Sequence, residues 1–142
     1  MILLAGIALV LIFLSLSFIH FYWALGGNWG AAAAIPIKDD NTTKMIEPSI
    51  FSTLIVALIL LAFGLLVVLK TGAFTFNLPS WLSNYGLWII AIIFSIRTVG
   101  DFKYVGCFKT VKTTTFSRYD SLIFTPLCAA ITILTALIEI LT

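Results

Sequence analysis

Four long, almost uncharged apolar runs set the limits on what this chain can become. They cover residues 1–25, 49–70, 81–102 and 120–142 of a 142-residue sequence. About 20 apolar residues in a helix cross roughly 30 Å of hydrocarbon. The runs therefore predict an all-α fold: a polytopic membrane protein with a four-transmembrane-helix bundle. Hydrophobic residues make up 61% of the chain and charged residues 10%, against about 25% charged in a soluble domain. A water-soluble protein of this size could not bury that much apolar surface, so the lipid bilayer is the expected solvent. The connections leave no room for a soluble domain, and the whole chain, 1–142, reads as one domain.

The first run holds no Lys or Arg and ends in His20-Phe21-Tyr22-Trp23. A signal peptide has a basic start, a short apolar stretch and small residues at its cleavage site. The first run is thus expected to be a mature helix closed by an aromatic interfacial belt and broken by Gly26-Gly27. Pro48 marks the start of the second helix, and Asn77-Leu78-Pro79-Ser80 that of the third. The fourth should start at Asp120 and bend at Pro126.

Charge is unevenly placed. Lys38, Lys44, Arg97, Lys103, Lys109, Lys112 and Arg118 fall on the side of the first and third loops, and Lys70 alone on the other. Lys and Arg are retained in the cytoplasm. The expected topology is a multi-pass plasma-membrane protein with loops 1 and 3 cytoplasmic and both termini outside. A net charge of +2 is too small and too dispersed for a nucleic-acid partner. Cys107 and Cys128 lack C-x-x-C spacing and read as reduced thiols.

Ionisable residues within membrane segments mark functional candidates. Arg97 lies 16 residues beyond Trp81 and His20 17 beyond Leu3, so both sit about 24–25 Å along their helices, just inside the same boundary. With Asp101 placed one turn beyond Arg97 on the same face and Asp120 opening the last helix, His20, Arg97, Asp101 and Asp120 are expected to converge. Trp23, Trp29, Tyr104 and Tyr119 would ring the pocket, and Arg118 is a further ligand-binding candidate. The plainer reading is a set of structural contacts: an Arg97–Asp101 pair, a cap from Asp120 and an interfacial histidine. Glu139, at the opposite surface, reads as a solvated carboxylate. One histidine and two scattered cysteines suit neither a zinc nor a haem site, so no cofactor is expected. No catalytic motif is present either.

His20-Phe21-Tyr22-Trp23-Ala24-Leu25-Gly26-Gly27, Trp29-Gly30 and Pro48 resemble the first half of a bacterial family of uncharacterised membrane proteins, the domain of unknown function 3995. Arg97-Thr98-Val99-Gly100-Asp101-Phe102-Lys103-Tyr104-Val105-Gly106, Phe108-Lys109, Phe116, Arg118, Asp120 and Pro126-Leu127 resemble its second half. The resemblance implies four helices and no particular activity. Binding of a lipid headgroup or small amphiphile in the polar pocket is the leading expectation. The alternatives are an enzyme acting on a lipid or quinone-like substrate with His20 as acid or base, a transporter or channel subunit, and an accessory subunit of a larger membrane complex. A homo-oligomer or a membrane protein partner fits the last two.

Overall fold

The computed structural model describes residues 1–38, 43–72 and 76–142. The polar tract 39–42 of loop 1 and positions 73–75 of loop 2 lie outside the described residues. The chain is helical, with helices α1 (Ile2–Ala24), α2 (Ala31–Ala34), α3 (Ile50–Lys70), α4 (Ser80–Val99), α5 (Thr115–Tyr119) and α6 (Thr125–Leu141). A π-helical turn, Asp120–Phe124, joins α5 to α6. Four of the helical stretches are long and apolar enough to cross a membrane: α1, α3, α4 and the continuous run Thr115–Leu141. Among the described residues there is no strand, only an isolated bridge between Ile37 and Lys44.

The ends of these helices follow from local chemistry. After α1, Gly26 takes φ +95°, its N–H donates to Trp23 O, and Gly27 N–H donates to Tyr22 O at 2.9 Å. This is a Schellman closure, which needs a residue free to adopt positive φ. At the start of α3 the cap is Ser49, whose hydroxyl oxygen accepts from Ser52 N–H at 3.1 Å, with Pro48 immediately outside.

Two expected boundaries are corrected. The third span stops at Val99 rather than 102, because Gly100 swings to φ +81° and ends the helical path. The fourth begins at Thr115 rather than Asp120, capped by the Thr114 hydroxyl, which accepts from Ser117 N–H at 3.1 Å. The bend expected at Pro126 is preceded by the π turn. A proline ring crowds the carbonyl four residues earlier and removes one helical donor. Widening the turn before it relieves both effects.

The packing is antiparallel. Ser17 Oγ donates to Ala57 O at 2.8 Å, while Gly64 lies against Phe13 and Gly6 against Thr71, so α1 and α3 run in opposite directions. α4 runs against α6 in the same manner, with Thr132 Oγ1 reaching Ala91 O at 3.4 Å. α1–α3 and α4–α6 are the extensive pairs, and α1–α6 contacts join them. Phe13 is the centre of the core. Its ring meets Phe63 and Phe94 at 5.8 Å each, and Leu9, Leu87, Ile90 and Ile131 are fully buried nearby. Only 22–33% of each span is buried within the protein. The remaining aliphatic surface calls for a hydrocarbon solvent, which makes the fold that of a polytopic membrane protein.

At the end holding both termini, Lys70 pairs with Glu139 at 3.1 Å and donates to Ser83 O at 2.5 Å. Glu139 is therefore not the solvated carboxylate expected. Its side chain is 6% exposed, and the pair ties α3 to α6.

Candidate functional site

The polar residues at the opposite end form two separate arrangements. The first centres on Asp120, which has no exposed surface. Its Oδ1 accepts from Arg97 Nη2 at 2.7 Å. Its Oδ2 accepts from Lys109 Nζ at 2.8 Å, Gly106 N–H at 2.9 Å and Thr125 Oγ1 at 3.3 Å. Three of these four donors converge on Oδ2, and Oδ1 meets Arg97.

The Gly106 donor is delivered by a tightly wound loop. Gly100 and Gly106 both have positive φ, and a methyl group on either would fall on the backbone of the other strand of the loop. Asp101 closes it from inside: one oxygen, Oδ1, accepts from the N–H groups of Lys103, Tyr104 and Val105 at 3.0, 2.7 and 2.9 Å. Burial alone would raise the Asp101 carboxyl, but these amides outweigh it and hold the group below the usual carboxylate range. Phe102 takes φ +64° within the same turn, a strained position for a bulky side chain.

Asp101 therefore does not share a helix face with Arg97, and the Arg97 partner is Asp120. Asp120 is not a cap either, since α5 has already begun. The π turn places its carboxylate against α4 and loop 3. Lys109 was not among the residues singled out from the sequence. Its side chain is 2% exposed; in the sequence it stands out by its place in a basic loop and in the Phe108-Lys109 pair of the family resemblance. Two cations face one carboxylate, and Arg97 Nη1 is buried with no hydrogen-bond partner among the described residues. With no exposed surface and two cations, a backbone N–H and a hydroxyl bonded to it, the Asp120 carboxylate is held by the protein's own groups. The cluster is a clasp joining α4, loop 3 and α6.

The second arrangement is a recess of about 560 Å³ between the end of α1, loop 1 and the start of α3. His20 and Trp23 line it with Asn28, Lys44, Glu47 and Val56 among its other walls. Arg97, Asp101, Tyr104, Arg118 and Asp120 do not. Trp29 is 74% exposed and contributes its carbonyl oxygen, which accepts from Trp23 Nε1–H at 2.8 Å. Tyr104 is half-buried beneath Lys103 Nζ, 5.1 Å from its ring centre, and Arg118 is exposed on α5.

Both halves of this chain thus supply one structure each: the His20–Pro48 segment the recess, the Arg97–Asp120 segment the clasp. A family model described as a protein of unknown function, DUF3995, matches residues 13–135 and so takes in both. The chain belongs to the DUF3995 family. No curated protein and no solved structure matches it.

In the recess, His20 Nδ1 lies 2.7 Å from Leu16 O. A carbonyl oxygen only accepts, so Nδ1 carries the proton and, in the neutral ring, Nε2 is left as an acceptor. The ring is also held edge-on to Trp23 at 5.1 Å. The volume falls within the range of small-molecule sites, about 300–1,000 Å³. Its lining mixes polar side chains from loop 1 and the first turn of α3 with apolar ones, Ile35, Pro48 and Val56 among them.

Proposed function

We propose that this DUF3995 protein binds an amphiphile, with its head in the recess lined by His20 and Trp23 and its tail along α3. One observation carries the reading: a recess of small-molecule size at a helix-end boundary, whose lining joins polar side chains such as His20, Lys44 and Glu47 to apolar ones such as Ile35, Pro48 and Val56. The binding role moves to His20 from Asp120, whose carboxylate is held by the clasp, and from Arg97, whose Nη2 is paired with it and which does not line the recess. An enzyme built on His20 with an aspartate to orient it has less support, since Asp101 and Asp120 are engaged elsewhere and Leu16 O holds the imidazole.

Photoactivatable phospholipids incorporated into membranes containing the protein test the reading. Crosslinks are expected to map to the peptide spanning 20–56, and Ala34→Trp, which fills the recess from α2, should cut them at least fivefold. Crosslinks scattered evenly over all four spans and indifferent to Ala34→Trp would overturn it.

The same proposal sets the protein in the plasma membrane with loops 1 and 3 in the cytoplasm, supported by the seven Lys and Arg at that end against Lys70 at the other. Cys107 is exposed in loop 3 and Cys128 is buried. A membrane-impermeant maleimide should label Cys107 only after cells are opened, and labelling of intact cells would reverse the assignment.

A further inference from the structure

The hydrogen-bonding groups that line the recess are unevenly committed. Trp23 Nε1–H is spent on Trp29 O at 2.8 Å. Ser52 Oγ and Thr53 Oγ1 each donate their single hydroxyl proton to Ser49 O at 2.9 Å. His20 Nδ1–H is spent on Leu16 O at 2.7 Å. Four side chains have thus turned their protons to the protein's own backbone. Trp23 then has neither donor nor acceptor to offer at its ring edge, while His20 Nε2 and the hydroxyl oxygens of Thr53 and Ser52 keep lone pairs, one of those on Ser52 being met by Ser49 Oγ at 3.2 Å. The Glu47 carboxylate, which also only accepts, adds a negative charge to the same lining. Lys44 and Asn28 remain as donors. Among the described residues neither Lys44 nor Glu47 is ion-paired.

A wall rich in acceptors selects an occupant rich in donors, because a head that only accepts leaves both sides unpaired on desolvation. We infer that the recess takes an amphiphile whose head joins a primary ammonium to a phosphate. This rests on the recess reading above and specifies its ligand. The ammonium donates to His20 Nε2, Thr53 Oγ1 and Glu47, and the face of Trp23 favours a cation. The phosphate pairs with Lys44. Val56, Ile35 and Pro48 cover the first methylenes of the tail. A trimethylated ammonium has the same charge but no N–H, so it cannot use these acceptors. A glycerol phosphate head lacks the cation that Glu47 calls for.

Native mass spectrometry of the full chain in detergent, titrated with phosphatidylethanolamine, phosphatidylcholine and phosphatidylglycerol of matched acyl chains, tests the assignment. Phosphatidylethanolamine is expected to bind at least tenfold more tightly than either of the others. Glu47→Gln, at an exposed position, and His20→Phe, which keeps the ring, should each reduce that preference to threefold or less. Displacement of the lipid by millimolar soluble phosphoethanolamine would assign the free head as an occupant, and no displacement would assign the lipid. Phosphatidylcholine binding equal to phosphatidylethanolamine, tighter phosphatidylglycerol, or a preference unchanged in both variants would each overturn the inference. If Ala34→Trp still weakened all three lipids alike, the recess would stand and only its headgroup chemistry would fall.

Discussion

Asp120→Ala is the most informative single perturbation of the fold. The change removes the only anion paired with Lys109 Nζ and Arg97 Nη2 among the described residues, at 2.8 and 2.7 Å. The two cations do not suffer equally. The Arg97 side chain is 33% exposed and can turn towards water, whereas Lys109 is 2% exposed and cannot without unwinding loop 3. Removing one partner of a buried pair costs about 3–5 kcal/mol, and here nearly all of it falls on Lys109. The Gly106 N–H loses its acceptor as well, adding about 1–3 kcal/mol. A total of about 4–8 kcal/mol is comparable to the whole stability of a typical domain, about 5–15 kcal/mol. Asp120→Asn keeps one acceptor for Gly106 and should cost less. The double variant Asp120→Leu with Lys109→Met removes both buried charges together and should recover at least half of the loss. Reversible unfolding in bicelles, followed by steric trapping, gives each free energy. Asp120→Ala within about 1 kcal/mol of the parent, or a double variant no better than Asp120→Ala, would refute the account of the clasp.

Other consequences are as direct. Gly100→Ala and Gly106→Ala each place a methyl on backbone across the loop at positive φ, so both should lower the melting temperature sharply, whereas Gly72→Ala, with open space around it, should cost no more than about 1–2 kcal/mol. The depressed Asp101 carboxyl stabilises its loop fully above the unfolded carboxyl value near 3.8 and loses that contribution as pH falls through the lower folded value. Amide chemical shifts of Lys103, Tyr104 and Val105 should therefore hold steady from pH 7 to 5 and change only in strong acid, and a midpoint above 3.8 would contradict the assigned hydrogen bonds. Glu139→Gln removes the charge from its contact with Lys70 and should destabilise by about 1.5–3 kcal/mol, measured in the same bicelle assay, with Lys70→Met restoring part of the loss in the double variant.

The spans were legible because lipid imposes length and composition on every transmembrane helix, whatever surrounds it. Depth was legible for the same reason, since a fixed rise per residue places Arg97 and His20 near one boundary. Direction around the axis was not. α1 is apolar on all sides, so nothing in its pattern tells which face meets α3, and His20 could be placed in height but not in azimuth. Its recess, lined by α3 and loop 1, is a product of that packing. Asp101 failed for a local reason, the left-handed Gly100, which a count of helical turns does not register. Asp120 was found as a polar residue at the right depth, but its role depends on a turn that begins upstream at Thr114 and widens before Pro126. Lys109 stood in the family resemblance and in a basic loop, but neither tells its direction, because a lysine folded inward and one in water look alike in a sequence.

The clasp also bears on how the protein is made. Arg97 enters the membrane on α4, the least apolar of the four spans, with a mean hydropathy of 1.4 against 2.2–2.9 for the others. Its counter-charge is 23 residues further along the chain. While α4 is the latest span synthesised, the guanidinium has no acid to meet and the helix is a poor candidate to partition alone into lipid. Only when Thr115–Leu141 follows can loop 3 wind, Lys109 fold inward and the charge be answered. The second half of the protein is thereby suited to leave the insertion machinery as a hairpin, with its two spans released together.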